Sequence, residues 1–372
     1  MRPVTTAVIS DLHLGDGMKR DLLRRDDVRG WLLEALQGID RLVLCGDVIE
    51  LRQSPARDVL AAAGPVLGAI ADALPGVPIV LVPGNHDHPL IAPWLDRRRL
   101  EGGGHLSLEQ VADAHDCGPL AAALADHART EVSVAYPGLW IRPDVYAAHG
   151  HYLDCHMTMP RIECLIAAAC ERLVGGLPPK GAPRTPDDYE AALSPLYSLS
   201  FSMAQGTRRP LGRHGPDPTL RFWQLLHGEG PGGAMRSFAL GTVAVPTALA
   251  ALNRLLPREF SADLSGEELL RSGLDAMREV LTLLGIEPTH AIFGHTHRPG
   301  PLEGDSRALW ALPGGGEMLN TGSWIYEPTF FPESVAESPY LPGTVALVSD
   351  EGPPELRRVL RSREPGGRLE PA

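Results

Sequence analysis

Four histidines, two aspartates and an asparagine could hold metal ions in this chain: His13, His149, His295, His297, Asp11, Asp47 and Asn85. Imidazole mixed with carboxylate suits Mn, Fe, Zn or Co better than Mg or Ca alone. Seven groups exceed what one four-coordinate zinc takes. They suit two ions roughly 3.5–4 Å apart that share one carboxylate. Taken singly, Gly46-Asp47 and Asn85 could each be no more than turn residues. His149 and His151 compete for one ligand position. His149 takes it as the first polar residue after its strand, leaving His151 as a neighbour able to meet substrate.

These residues share one placement, which implies the elements that position them. Apolar runs over 4–10, 42–46, 78–82, 144–148 and from His290 each stop where Asp, Asn or His begins. Between the first three runs lie two segments with helical spacing, near 21–37 (Val28, Trp31, Leu32, Ala35, Leu36) and 56–74 (Val59, Leu60, Val66, Leu67, Ile70). Strand–helix–strand alternation predicts parallel strands with right-handed crossovers and an α/β fold. Ligands in such folds collect at the carboxyl ends of the strands. From about 152 to 285 the pattern is helical, with Pro160 opening one helix and Ser265 and Glu268 capping another that ends at Gly285. Strands resume at 290, and 344–349 pairs with 355–361 as a hairpin. The expected organisation is a core of 1–150 and 286–362, a helical insertion at 151–285, and a structureless tail at 363–372.

The chain has 372 residues and a net charge of −12, which argues against nucleic acid as a partner. Five cysteines without CxxC spacing and an opening stretch unlike a signal peptide lead to the expectation of a cytoplasmic protein.

Asp11-Leu12-His13, Gly46-Asp47-Val48-Ile49-Glu50, Gly84-Asn85-His86-Asp87, His149-Gly150-His151 and Gly294-His295-Thr296-His297 resemble, in order, the five motifs of the calcineurin-like metallophosphoesterases. The resemblance covers the core and not the insertion. It implies a four-layer sandwich of two mixed β-sheets flanked by helices. It further implies that Asp11, His13 and His297 hold one divalent transition metal, Mn first among the candidates. Asn85, His149 and His295 hold the other, and Asp47 bridges. The family's metal-activated hydroxide attacks phosphorus in line, and His86 matches its catalytic histidine. Glu50 stands where many members place the carboxylate that orients that histidine, although Asp is common there. The branch that cleaves UDP-diacylglucosamine pyrophosphate has similar motifs but carries Arg where His86 stands, so its substrate does not carry over. The alternative reading is a non-catalytic binding module that retains the fold.

Three further residues are candidates for substrate contact: His151, Asp154 and Arg298. Arg298, next after His297, either clamps a phosphate bidentately or solvates a loop. Asn320-Thr321-Gly322-Ser323 ends another strand and is expected to buttress the site. In the insertion, Ser237 to Leu252 is uncharged. It reads as a buried helix or as an apolar face for a lipid-linked phosphorylated substrate, with peripheral membrane contact.

Overall fold

The structure, a computed structural model, describes residues 4–175, 177–179, 181–206, 253, 256, 259–261, 263, 265–327, 338–362 and 369–372. The uncharged run 237–252 lies outside the described residues. The chain divides into two compact units, Met1–His151 with Tyr197–Arg213 and Glu287–Ala372, and Tyr152–Leu196 with His214–Ile286. Tyr197–Arg213, expected in the insertion, is thus part of the first unit. In that segment Phe201 packs on the first unit's core and Gln205 accepts a hydrogen bond from the Ala56 N–H.

The first unit opens as the alternation predicts. Strand β1 (Thr6–Ile9) leads to helix α1 (Asp26–Ala35), β2 (Arg41–Leu44), α2 (Ala56–Ala73) and β3 (Ile79–Leu81). Then come α3 (Ala92–Leu100), β4 (Glu109–Asp113), α4 (Ala114–Cys117), α5 (Pro119–Ala128), β5 (Val132–Arg142) and β6 (Val145–Ala148). In the second unit, α6 (Ile162–Val174), most of α7 (Pro186–Gln205) and α8 (Gly266–Leu284) make the described part helical. Ser265 caps α8 by accepting from the Glu268 N–H, and Gly285 ends it in the left-handed region. Tyr152 stacks on Tyr189 at 4.6 Å and donates to buried Glu190. The first unit resumes with β7 (His290–Phe293), α9 (Arg307–Trp310), β8 (Glu317–Asn320), β9 (Thr344–Val348), β10 (Glu355–Arg358), β11 (Leu360–Ser362) and β12 (Leu369–Pro371). β12 pairs with β11, which corrects the expected structureless tail over those residues.

The mixed sheet runs β10-β9-β1-β2-β3-β5-β6-β7-β8, with β4 on β5. Strand β5 is long enough to turn the corner. Its first residues pair with β3 and its later ones with β6. Val8, Val43, Val80 and Ala346 from one half pack in a single apolar layer with Val145, Ala147, Ile292 and Leu319 from the other. The two sheets of the expected sandwich are therefore two facing halves of one hydrogen-bonded sheet. Alternate residues of the first half, such as Leu42 and Leu44, point to the opposite layer, where α1, α2 and α5 bury Leu32, Val66 and Leu124. Strands buried on both faces read as continuous apolar runs for this reason.

The inner layer holds the strand ends in register, so a void there loosens both halves. Ile292→Ala is expected to lower unfolding free energy by about 2–5 kcal/mol, read by denaturant titration. A loss under about 1 kcal/mol would show that the layer collapses around the gap.

Candidate metal centre

The turns after β1 and β2 continue the strands' partnership past the end of the sheet. The Asp11 N–H donates to the Gly46 carbonyl at 2.9 Å, and His13 N–H to the Asp47 carbonyl at 2.8 Å. Buried Asp87 accepts from the N–H groups of Gly84 and Val48, each at 2.7 Å, and Asp47, at 3.3 Å, tying the β3 turn to the β2 turn. Close approach here requires glycine. A Cβ on Gly46 (φ +87°) would sit 2.2 Å from the His149 ring, and one on Gly84 2.4 Å from Asp47 Oδ1. On the far side, Asn320 donates to the Gly294 carbonyl (2.8 Å) and Thr296 Oγ1 (3.0 Å), the buttress expected of it.

Asp11, His13, Asp47, His295 and His297 all have positive φ, between 45° and 66°. L residues avoid this region by about 1–2 kcal/mol each. Among the described residues only Lys19 and Arg129 are other non-glycine cases. Such strain persists where the surroundings over-determine it, commonly at functional sites.

Two donor sets result, and each could hold a metal ion: Asp11 with His13 and His297, and Asp47 with His149 and His295. Asn85 joins the second, its Oδ1 lying 3.2 Å from His149 Nε2 and 3.1 Å from His295 Nδ1. Asp47 Oδ2 stands 3.3 Å from His149 Nε2 and 3.8 Å from His13 Nε2, between the sets. A third grouping, His13, Glu50 and His86, is a hydrogen-bonded relay. Glu50 Oε2 accepts from His86 Nδ1 at 2.7 Å and His13 Nδ1 at 3.0 Å.

The donors fit metal ions by their own chemistry. His149 Nδ1 lies 3.1 Å from the Cys45 carbonyl and must donate to it, which turns the Nε2 lone pair of the neutral ring toward Asn85 Oδ1 and Asp47 Oδ2. Those two oxygens are themselves 3.2 Å apart. Turning the Asn85 amide over would satisfy this set with hydrogen bonds; a cation would satisfy it with Oδ1 facing the two imidazoles. At the first set no amide can turn. His13 Nε2 and His297 Nε2 are 3.2 Å apart, and buried Asp11 Oδ1 accepts no hydrogen bond among the described residues. Only a proton or a metal cation can join such a set.

The electrostatics make the same demand. Burial pushes Asp11 and Asp47 upward, yet the surrounding imidazoles hold both well below the carboxylate range, His13, His149 and His297 around Asp11 and chiefly His149 and His86 around Asp47. His86 and His13 likewise hold buried Glu50 low. Burial lowers His149, but Asp47 and Asp11 outweigh it and raise the ring to about 9. Burial and then neighbouring Asp47 push Asp87 up to about 6.

Residues 4–173 match the family model described as calcineurin-like phosphoesterase, a stretch that contains every one of these groups except His295 and His297. Over that stretch the chain is similar to the calcineurin-like phosphoesterases. The likeness supports a metal-dependent hydrolase acting on phosphoester bonds. No curated protein matches the sequence. Among solved structures, a dimetal phosphatase from Danio rerio is 14% identical, with 95% of this chain and 98% of that one covered at a TM-score of 0.30. A cold-active protein-tyrosine phosphatase of a psychrophilic Shewanella is 12% identical, with 95% and 80% covered and a TM-score of 0.26.

The nine residues expected as metal ligands or catalytic groups converge, with His149 rather than His151 in the donor set. His151 is buried behind it, its ring 5.7 Å from that of His149 and its Nε2 3.2 Å from the Tyr136 hydroxyl. Asp154 belongs to the second unit, where the Cys164 thiol lies 3.6 Å from its Oδ1. Arg298 corrects an expectation. Its two terminal nitrogens fork onto Asp305 at 2.7 and 3.0 Å, so the bidentate grip reserved for phosphate is used inside the fold. Sequence reasoning missed Asp87 as the brace between turns and Arg52, whose Nη1 lies 3.3 Å from His86 Nε2. Asp87 could have been suspected as the last residue of the Gly84–Asp87 motif; Arg52 carries no local signal. His88, which follows the Gly84–Asp87 motif, is buried with its ring 5.1 Å from Tyr197 and 6.0 Å from Tyr136.

The pH dependence of metal-free protein should reveal the demand for cations. His13, like His149, is raised although burial opposes it, through Asp11 and Glu50. Stability from a raised histidine is complete below its ordinary value of 6.5 and is lost as pH rises through the folded value. Chelator-treated protein should therefore lose on the order of a few kcal/mol between pH 6.5 and about 9, and metal-loaded protein much less. Thermal melts that fall equally with and without metal over that window would contradict this.

Proposed function

We propose that this chain is a phosphoesterase that uses two divalent transition metals, manganese first among them, to hydrolyse a phosphomonoester, phosphodiester or pyrophosphate. The observation that supports this best is the placement of Asp47 between two donor sets. Asp11, His13 and His297 would hold one ion, Asn85, His149 and His295 the other, and Asp47 both. Bound there, the pair would neutralise phosphate charge and bring the ionisation of a water close to neutral pH.

The chain's own residues supply the rest. Glu50 accepts the Nδ1–H of His86, which fixes the tautomer and aims Nε2 outward, 3.9 Å from Asp47 Oδ2. As an imidazolium, with a second proton on Nε2, His86 would give that proton to the departing oxygen and return to the neutral ring with Nδ1–H still on Glu50. Glu50 holds the ligand His13 by the same oxygen, so one carboxylate positions both a metal ligand and the acid. The helical insertion, which follows His149 and His151 in the chain, selects the substrate, a phosphorylated small molecule or a lipid-linked one. Among the described residues no helix is long and apolar enough to cross a membrane. Five free cysteines fit a reducing, cytoplasmic setting.

Manganese-loaded protein is expected to hydrolyse p-nitrophenyl phosphate or its bis ester, and chelation to abolish turnover. His86→Ala should keep its metals and lose about 10²–10⁴-fold in kcat. The loss should be larger for alkyl than for nitrophenyl esters, because a basic leaving oxygen needs its proton most. Equal losses on both would mean that His86 positions the phosphate instead of protonating the leaving group.

A further inference from the structure

Ser10, the residue before Asp11, and Thr321, the residue after β8, are both buried, and their hydroxyls meet at 2.6 Å. Ser10 Oγ also lies 2.5 Å from Asp11 Oδ2. A carboxylate has no hydrogen to give, so Ser10 donates to Oδ2. The hydrogen between the two hydroxyls must then come from Thr321. Each competing acceptor is farther away. The Gly322 carbonyl is 3.2 Å from Ser10 Oγ. The Phe293 carbonyl, 3.3 Å from Thr321 Oγ1, already accepts the Thr321 N–H. The order is Thr321 O–H to Ser10 O–H to Asp11 Oδ2.

The two Asp11 oxygens are thereby divided. Oδ2 accepts from Ser10 and from the His295 N–H at 3.1 Å. Oδ1 accepts no hydrogen bond among the described residues and lies 3.2 Å from His297 Nε2. Gly294 makes room for this, because a Cβ there would fall 2.3 Å from both Asp11 Oδ2 and Ser10 Oγ. The contact also joins the two halves of the sheet, since Ser10 follows β1 whereas Gly294 and Thr321 follow β7 and β8. Asp11 and His13 come from one half and His297 from the other, so the hydroxyl pair stands where that donor set closes. The Asp47 carboxylate of the other set accepts instead from a backbone donor, the His86 N–H at 2.8 Å.

We propose that Ser10 and Thr321 are positioning residues that reserve Asp11 Oδ1 for a cation and so set the affinity of one metal site and not the other. This rests on the two-metal reading above and adds to it the groups that hold one ligand in place. Without the hydroxyl, Oδ2 keeps a single donor, and the carboxylate is free to turn either oxygen toward His13 and His297. Partners that orient a ligating carboxylate matter to affinity nearly as much as the ligand itself.

Manganese binding by calorimetry, on the full chain, tests this in two backgrounds. His149→Ala leaves the Asp11 set intact, and His297→Ala leaves the Asp47 set intact. Adding Ser10→Ala should weaken manganese binding about 10- to 100-fold in the first background. In the second it should weaken binding about threefold at most. Thr321→Val keeps the shape and removes the hydroxyl, and should cost the first background about 3- to 10-fold. Thr321→Ser, which keeps the hydroxyl, should bind as the background does. With Ser10→Ala in place, Thr321→Val should add nothing, because the hydroxyls act in series. Equal weakening in both backgrounds would overturn the proposal, as would unchanged affinity in the first. Thr321→Ser as weak as Thr321→Val would also overturn it, by showing that shape matters and not the hydroxyl. The Thr321 pair decides alone if Ser10→Ala does not fold. A background that binds no manganese while wild type does would refute the two-set reading. The Thr321 pair in the otherwise wild-type chain then decides the proposal by the same comparison. Wild type that takes up no manganese overturns both.

Discussion

Three carboxylates, Asp11, Asp47 and Glu50, are buried together, and this concentration of negative charge is what the rest of the site answers. An isolated buried carboxylate costs several kcal/mol even after relaxation. Glu50 is answered within the fold by two imidazole N–H groups on one oxygen. Asp11 and Asp47 face imidazole lone pairs, which offset nothing until a proton or a metal ion stands between them. The backbone bears part of the burden, since five of these groups sit at positive φ. The sheet stabilises that strain from outside. Parallel β1, β2 and β3, and then β6, β7 and β8, end along shared edges, so every turn is anchored by a strand buried on both faces.

What could be read from the sequence was local. An apolar run followed by Asp, Asn or His marks a strand end wherever it occurs, so β1, β2, β3, β6 and β7 and the groups after them were legible. Strand β5 was not, because Pro137 and Gly138 interrupt its pattern, and with it went the bend that makes one sheet out of the expected two. Side-chain partnerships were equally hidden. Nothing in the composition around Arg298 tells that Asp305 takes its fork, nor does Leu51-Arg52 announce a guanidinium against His86. Left-handed backbone is announced by glycine, and here it falls on Asp and His, which only the tertiary structure can impose.

If Asp47 serves two metal ions at once, counting manganese bound to purified variants will reveal it. Wild type should carry about two ions per chain. His149→Ala and His297→Ala should each retain about one, because each removes a ligand from a different set, and Asp47→Ala should retain close to none. An Asp47→Ala protein that still binds two ions, or wild type that saturates at one, would contradict the account.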